Sequence, residues 1–234
     1  MLTVAVLSWG SENTLYNTLK SFAYHGLAAE QRIALLQEGT PFQEGICREF
    51  KFQPISYPIN VGIARGYKIL LEQATAPNFL FLENDWELLR YPHDQLETGM
   101  HLLATHAIDI ARFRHRTNPG NPLWTRQFEG QEYVRPSHLL DSIHWTDPDK
   151  FPEISTVDFS TESGESKLRW YITNATYANW TNNPHMGRTG WLRERVAPRL
   201  GDKDLEVDIQ GWWEQQSMIR VGQSEGLFTH NRLD

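Results

Sequence analysis

The sequence predicts an α/β protein with a doubly wound, mostly parallel sheet flanked by helices. Apolar runs of strand length alternate with segments of helical spacing over roughly the first hundred residues, the pattern of a parallel sheet covered on both faces. A length of 234 residues suits a single domain. Right-handed crossovers then place the ligand crevice at the carboxyl ends of the strands, where polar residues follow several of the apolar runs.

The first half of the chain contains the clearest elements. Residues 3–8 predict a buried strand, and apolar residues at helical spacing over 15–24 predict the next helix, with capping side chains at 11–13. The alternation then predicts strands at 32–37, 54–57 and 78–82 and helices at 42–50 and 63–74.

The second half is less regular. It predicts helices at 95–106, 189–196 and 205–216, strands at 107–114 and 168–177, and two short strands at 217–221 and 227–229. The stretch from 117 to 167 is rich in Pro, Asp and Ser without a sustained period, which predicts loops beside the crevice, with or without short strands.

Composition excludes several classes of protein. A net charge of −7 argues against binding nucleic acid or anionic membranes, because both favour a basic surface. The one cysteine, Cys47, excludes an internal disulfide and a multi-cysteine zinc site and fits a reducing compartment. The opening apolar run is too short for a signal peptide, and no later run reaches the ~18–20 apolar residues of a membrane span. We therefore expect a cytoplasmic protein.

Two carboxylates, Glu83 and Asp85, follow the apolar run that ends the fourth predicted strand. Strand alternation would point both side chains to one side, and Mg²⁺ or Mn²⁺ carrying a diphosphate needs hard oxygen ligands of this kind. Solvated carboxylates are also common at strand ends, so the motif alone leaves both interpretations open.

A second segment, Asn60-Val-Gly62-Ile-Ala-Arg65-Gly66, follows the third predicted strand and opens the next helix. Small residues let the backbone approach a ligand, and the N–H groups of a helix start favour anions. Arg65 could contact a phosphate or hold the turn to an acidic partner, and an ordinary helix start with glycine packing is the alternative.

The order of these segments resembles the GT-A glycosyltransferases of family 2. Four matches carry the resemblance: VAVLSWGSENTLYNTLKSF as the opening strand, loop and helix, Leu36-Gln37-Glu38-Gly39-Thr40 in place of Val-Asp-Asp-Gly-Ser, NVGIARG as Asn-x-Gly-x-Ala-x-Gly, and Glu83-Asn84-Asp85 in place of Asp-x-Asp. The resemblance implies a GT-A fold over 1–234, with residues 1–115 as the nucleotide-sugar half and residues 116–234 as the acceptor half.

The resemblance also implies site residues. Those expected to bind the nucleotide-sugar are Leu7, Ser8, Trp9, Glu12, Gln37, Glu38, Asn60, Gly62, Arg65, Glu83, Asn84 and Arg188. Those expected to hold Mn²⁺ or Mg²⁺ are Asp85, Glu83 and His230. Two departures matter: Gln37 replaces the acid that usually contacts the base, and Glu83 is one methylene longer than Asp, so it reaches ribose, water or the metal.

The later part of the chain matches the family more loosely. Residues 181–192 resemble the segment near the acceptor, where Arg188 and Trp191 could hold donor or acceptor, although Trp191 is more simply explained as a core residue. The family places a carboxylate general base near residues 204–208, and Glu206 and Asp208 are the candidates. They lie about 200° apart on a helix, so one of them at most faces the reaction, and a solvated helix cap would explain both.

These expectations define a metal-dependent glycosyltransferase that moves a sugar from a nucleotide diphosphate to a carbohydrate hydroxyl, by inversion. A UDP-sugar is favoured as donor, and GDP- or dTDP-sugars are possible. Three alternatives stay open: a retaining enzyme, a noncatalytic carbohydrate- or nucleotide-binding protein, and a sugar-phosphate nucleotidylyltransferase. The loop at 8–13 has one glycine and no Lys or Arg, which counts against the last, because its triphosphate substrate needs a basic, Gly-rich loop.

Overall fold

One sheet runs through the computed structural model, which describes residues 1–121, 151–160, 167–202 and 204–231. Its strands are β1 Leu2–Trp9, β2 Gln31–Gln37, β3 Gln53–Tyr57, β4 Asn78–Glu83, β5 Trp86–Leu88, β6 Ile110–Arg114, β7 Gly120–Asn121, β8 Ser155–Ser160, β9 Lys167–Asn174, β10 His185–Arg188 and β11 Arg220–Asn231. The helices are α1 Glu12–Tyr24, α2 Pro41–Glu49, α3 Ile63–Gln73, α4 His93–Ala104, α5 Thr189–Trp191 and α6 Leu205–Trp213.

The strand order is β3-β2-β1-β4-β10-β6-β11-β9-β8, with β5 and β7 paired to β11. The first four strands of this order are parallel, β10 runs antiparallel between β4 and β6, and β11 returns parallel to β6. Strands β9 and β8 close the order as antiparallel neighbours. The predicted fold class, a mostly parallel sheet flanked by helices, is confirmed.

Both faces of the sheet are covered, which explains why the first strand is a continuous apolar run. Val4 and Val6 belong to the apolar layer that contains residues of α1, α2 and α4, while Ala5 and Leu7 belong to the layer of α3 and α6. A strand buried on both faces cannot alternate between apolar and polar residues. Within the described residues, no helix combines the length and apolar character needed to cross a membrane.

The helix starts are well specified by local sequence. Ser11 accepts a hydrogen bond from the N–H of Thr14 at the start of α1, and Thr40 forms a capping box with Gln43 at the start of α2. Helix α3 begins differently, after Gly62 with φ +80° and with no side-chain cap. Its first N–H groups therefore remain available to a ligand.

The predictions for the part of the chain after β4 need correction at three points. The two short strands expected at 217–221 and 227–229 are one strand, β11, whose register against β6 shifts between Gln223 and Phe228. Strands β5 and β10 were not predicted, because three or four residues show no periodicity of their own. The predicted helix at 189–196 becomes a π-helical turn after Trp191. Most of the predicted loop region 117–167 lies outside the described residues.

The irregularity in β11 depends on Gly226. Its φ of +100° lies in the region that favours glycine, and an added Cβ would come within 2.3 Å of the Arg114 carbonyl oxygen. The side chain of Gln95 satisfies both backbone groups of Gly226, accepting from its N–H at 3.1 Å and donating to its carbonyl oxygen at 3.3 Å. The shift in register is thus built into the sheet.

We expect Gly226→Ala to destabilise the fold by about 3 kcal/mol or more, because backbone strain and overpacking add. Urea unfolding measures the change. The matched control is Gly211→Ala in α6, where nothing lies within 4 Å of an added Cβ. There alanine should be neutral or stabilise the helix by up to ~1 kcal/mol. Equal unfolding midpoints for the two variants would contradict the role assigned to Gly226.

Candidate functional site

Three neighbouring parallel strands end at one edge of the sheet. They bring together several of the residues predicted to bind the nucleotide-sugar. Strand β1 ends at Trp9 and β2 at Gln37, and these two residues are register partners. Strand β4 ends at Glu83, opposite Leu7 of β1. This carboxyl edge is where doubly wound sheets bind ligands.

Trp9 presents an exposed indole at this edge. Its side chain is held although the residue is 58% exposed, because Nε1 donates to Oε2 of Glu38 at 2.9 Å. Glu38 has a left-handed backbone, with φ +55°, and its N–H donates to the Tyr57 carbonyl oxygen at 2.9 Å. A non-glycine residue in this conformation costs energy and occurs often at ligand sites. The arrangement fixes a flat apolar surface beside the sheet.

The turn at residues 60–62 is anchored from β2. Gln37 is 3% exposed, and its Oε1 accepts a hydrogen bond from the N–H of Val61 at 2.8 Å. Asn60 closes the turn by accepting from the N–H of Gly62 at 2.8 Å. Helix α3 starts immediately after this turn, with its N–H groups uncapped.

Arg65 adds positive charge to the first turn of α3. It is exposed, and in the described parts of the chain its guanidinium makes no hydrogen bond or ion pair. A cation at a helix N-terminus is unfavourable for the helix dipole, so this position is not explained by helix stability. Together with the uncapped N–H groups, Arg65 makes this end of the crevice electropositive in a protein whose net charge is −7.

Asp85, which follows β4, and His230, near the end of β11, form a pair at the same carboxyl edge. His230 Nε2 and Asp85 Oδ2 are 2.9 Å apart, and the two side chains are 12% and 19% exposed. The backbone holds the pair, since Asn231 N–H donates to the Asp85 carbonyl oxygen at 2.7 Å. The Trp86 ring packs against the His230 ring at 4.8 Å between centroids. Asp85 Oδ1 is buried and lacks a hydrogen-bond partner.

These two side chains are suited to a divalent cation. A buried carboxylate oxygen without a donor is costly, and a bound cation would satisfy it; imidazole is an acceptable further ligand for Mn²⁺. Among the described residues, no group of three or more His, Cys, Asp or Glu side chains is arranged to hold a metal. Of the three predicted metal ligands, the structure brings Asp85 and His230 together.

Glu83 is the predicted ligand that does not join the pair. Strand β4 ends at Glu83 and a turn follows, so the alternation that predicted two carboxylates on one side stops there. Asn84 fixes this turn to α1 through both its side chain and its backbone: Nδ2 donates to Thr14 Oγ1 at 2.9 Å, and the backbone carbonyl oxygen accepts from Thr18 Oγ1 at 2.6 Å. Asn84 thus holds the turn that carries Asp85, and its contact with the donor stays a prediction.

Arg188 lies at the opposite edge of the sheet. In the antiparallel pairing of β10 with β4 it faces Asn78, the first residue of β4. Its guanidinium forms an ion pair with Asp109 at 2.8 Å and donates to the carbonyl oxygens of Leu103 and Ile108. The predicted donor contact of Arg188 does not fit this position, because β10 runs against β4 and carries it away from the carboxyl edge.

Glu206 and Asp208 bind different turns. Glu206 Oε1 accepts from the N–H of Asn182 at 2.7 Å, and Asp208 Oδ2 accepts from the N–H of Gly201 at 2.9 Å. Asn182 belongs to the loop that enters β10 at the carboxyl ends of β4 and β6, where His185 faces Phe81 and Arg112. Glu206 is therefore linked to the carboxyl edge, and Asp208 is linked to the turn before α6.

The loop that Glu206 holds is also anchored by His185, which the sequence did not single out. His185 is 2% exposed; Nδ1–H donates to the Asn183 carbonyl oxygen at 2.9 Å and Nε2 accepts from Tyr67 O–H at 3.3 Å. The pKa of His185 is lowered to about 4, mainly by burial and also by the charge of Arg112, although the hydrogen bond to the Asn183 carbonyl oxygen raises it. The imidazole is therefore neutral at pH 7 and ties the loop to α3. Tyr67 is distant in sequence, so no local pattern indicates this contact.

The sheet order and the ligand edge define a GT-A fold. Comparison with solved structures gives the same result: the neighbours include GT-A-type glycosyltransferases. S. aureus TarS 1-349, in complex with UDP-GlcNAc, matches 100% of this chain and 59% of its own, with a TM-score of 0.62 and 12% identity. The structure of glucosyl-3-phosphoglycerate synthase from Mycobacterium tuberculosis, in complex with Mn²⁺, UDP and glucosyl-3-phosphoglycerate, is also similar. The match covers 100% of this chain and 73% of that protein, with a TM-score of 0.56 and 13% identity.

A structural similarity at 12–13% sequence identity shows the fold and not the activity. The chain spans 59% of the length of the TarS fragment that it matches. No family model matches the sequence, and no curated protein matches it either.

Proposed function

We propose that the chain is a glycosyltransferase that moves a sugar from a nucleotide diphosphate to a hydroxyl of a carbohydrate acceptor. The observation that carries the proposal is the Asp85–His230 pair, whose carboxylate keeps one buried oxygen without a partner at the ligand edge of a GT-A sheet. Two neighbours of the same fold are described with UDP-GlcNAc and with Mn²⁺ and UDP, which supports a nucleotide-sugar donor.

In this proposal the donor lies along the carboxyl edge, over residues 1–115. Trp9 supplies a surface for a flat ring, and the turn at 60–62 with Arg65 supplies the positive potential that an anionic donor needs. The other residues expected to line the donor are Leu7, Ser8, Glu12, Gln37, Glu38 and Glu83.

Asp85 and His230 would hold Mn²⁺ or Mg²⁺, with Asp85 providing an anionic oxygen and His230 an imidazole nitrogen. Such an ion supplies charge stabilisation for the diphosphate leaving group. The role of Glu83 in this proposal is to contact ribose or water, because it is the last residue of β4 whereas Asp85 lies in the turn that follows.

The acceptor half, residues 116–234, provides the general base. The acceptor hydroxyl oxygen attacks the anomeric carbon, the bond from that carbon to the diphosphate oxygen breaks, and the hydroxyl proton passes to Glu206. We favour Glu206 over Asp208 because its carboxylate contacts the loop at the carboxyl edge. In-line attack of this kind inverts the anomeric configuration.

A noncatalytic nucleotide-binding protein on the same fold is the second candidate. Two departures from the family pattern favour it, because Gln37 and Glu83 stand where that pattern has aspartate. Such a protein would bind a nucleotide without cleaving the bond between sugar and diphosphate.

Calorimetry with UDP, GDP and dTDP tests the proposal. We expect at least one of them to bind, and to bind at least about ten-fold more tightly with Mn²⁺ than with EDTA, because the cation offsets the charge of the diphosphate. A donor-hydrolysis screen with the matching nucleotide-sugars follows, in which slow release of free sugar indicates an enzyme. Binding without hydrolysis would favour the noncatalytic candidate, and no binding by any nucleotide would contradict both.

A further inference from the structure

Helix α6 binds the loop at residues 178–182, before β10, with two side chains that lie one turn apart. Glu206 Oε1 accepts from the N–H of Asn182 at 2.7 Å, and Gln210 Oε1 accepts from the N–H of Trp180 at 2.9 Å. Residues four apart on a helix share a face, so alternate N–H groups of the loop meet successive turns of α6. The carboxylate proposed as the general base and the Gln210 amide therefore hold the same loop in one register.

The same helix holds the loop at a third point, farther from the proposed base. Trp213 Nε1–H donates to the Ala178 carbonyl oxygen, and the Trp213 ring packs edge-to-face against the Trp180 ring at 4.9 Å between centroids. Both of these tryptophans are buried. The loop thus runs antiparallel to the helix, with Ala178 at the end of α6 and Asn182 at its start. Gln210 makes the middle contact of the three.

The side-chain amide of Gln210 is only half satisfied. Since a backbone N–H requires an acceptor, the contact with Trp180 fixes the orientation of the amide. Nε2 is then buried, and among the described residues it has no hydrogen-bond partner, which costs free energy. An apolar side chain would avoid this cost but would leave the Trp180 N–H unpaired. A glutamate would place a second carboxylate one turn from Glu206, so glutamine is the side chain of this length that accepts without adding a charge.

We propose that Gln210 is a positioning residue for Glu206. By pairing with the Trp180 N–H it fixes the register of the loop on α6, and this register brings the Asn182 N–H to the Glu206 carboxylate. The inference rests on the proposed function and adds a residue that acts through the general base. Without the Gln210 contact the loop can shift along the helix, and Glu206 then loses the N–H that orients it.

Amide hydrogen exchange followed by NMR tests this coupling without a substrate. We expect Gln210→Met, which has a similar length and no acceptor, to speed the exchange of both the Trp180 and Asn182 amides by at least about ten-fold. The Asn182 amide is the informative one, because its own acceptor, Glu206, is unchanged in this variant. Faster exchange at Trp180 alone would overturn the proposal, since the two contacts would then be independent.

Donor hydrolysis provides the second test, with water in place of the acceptor. For Gln210→Met we expect kcat to fall by about ten-fold to a hundred-fold, while calorimetry gives the wild-type affinity and stoichiometry for the nucleotide with Mn²⁺. A variant that only weakens the fold would lower the fraction of chain that binds nucleotide, and that result would contradict the positioning role.

The conservative variant Gln210→Glu should rescue the contact, because a carboxyl oxygen can accept from the Trp180 N–H. We expect the slow exchange of both loop amides to return and kcat to lie within about a few-fold of the wild-type value, the remainder reflecting the added charge near Glu206. This variant keeps the shape and the acceptor, so it is informative even if Gln210→Met impairs folding.

Gln31→Met is the matched control. Gln31 Oε1 accepts from the N–H of Thr75 at 2.7 Å, so the substitution removes the same kind of contact from a backbone N–H. Gln31 is the first residue of β2 and lies at the amino edge of the sheet, away from α6. This variant should keep the wild-type kcat and leave the exchange of residues 178–182 unchanged.

The outcomes separate this inference from the proposed function. If Gln210→Met keeps the wild-type kcat, or if Gln210→Glu is as slow as Gln210→Met, the role of Gln210 is wrong while the general base stands. If Glu206→Gln keeps the wild-type kcat, or if the wild-type chain hydrolyses no donor, the proposed base fails and the inference fails with it.

Discussion

Replacing Asp85 with Asn is expected to reduce sugar transfer, or donor hydrolysis where no acceptor is known, by about a hundred-fold to a thousand-fold. The substitution keeps the shape of the side chain and its ability to bond His230, yet it removes the anionic charge beside the buried, unpartnered oxygen. Because that charge is what would attract a divalent cation, the Mn²⁺ dependence of nucleotide binding should disappear in the same variant.

The control for this prediction is Asp94→Asn, which makes the same chemical change in the first turn of α4. It should retain activity and Mn²⁺ dependence, with at most a few tenths of a kcal/mol lost from the helix start. An Asp85→Asn variant that transfers sugar at the wild-type rate, with its Mn²⁺ response intact, would exclude Asp85 as the anchor of the cation.

The second large effect is expected for Glu206→Gln. A glutamine oxygen can accept from Asn182 N–H as the glutamate does, so the loop should stay in place while the group loses its ability to take a proton. We expect kcat to fall by about a hundred-fold to ten-thousand-fold, with the affinity for the donor nucleotide unchanged.

Asp208→Asn is the matched comparison on the same helix. It should retain most of its activity, because Asp208 accepts from Gly201 N–H in the turn before α6. Steady-state kinetics and calorimetry on both variants provide the test. Wild-type kcat in both single variants and in the double variant would remove the carboxylate base and leave a retaining mechanism as the better account.

Much of the structure of residues 1–115 could be predicted from the sequence, because the signals there are local. The buried run that became β1, the capping residues of α1 and α2, and the turn before α3 each act over a few residues. The carboxyl edge followed from the alternation of strands and helices, because parallel strands joined by right-handed crossovers must end on one side.

The second half could not be predicted to the same extent. Strand β10 has four residues, and its place between β4 and β6 depends on partners that are distant in sequence. That placement reversed the expectation for Arg188, which an antiparallel strand carries to the amino edge. The contact between Tyr67 and His185 likewise joins residues with no shared local pattern.

By itself the sequence determined the α/β class, the strand ends that form the ligand edge, and the carboxylates and cations that follow them. These features depend on hydrophobic period, capping and chain connectivity, which are written in neighbouring residues. Only the tertiary structure decided which candidates meet: Asp85 with His230, Gln37 with the turn at Val61, and Glu206 with the loop before β10. Such pairings depend on strand register and on the direction of a chain after its strand ends, and both are fixed by packing between distant segments.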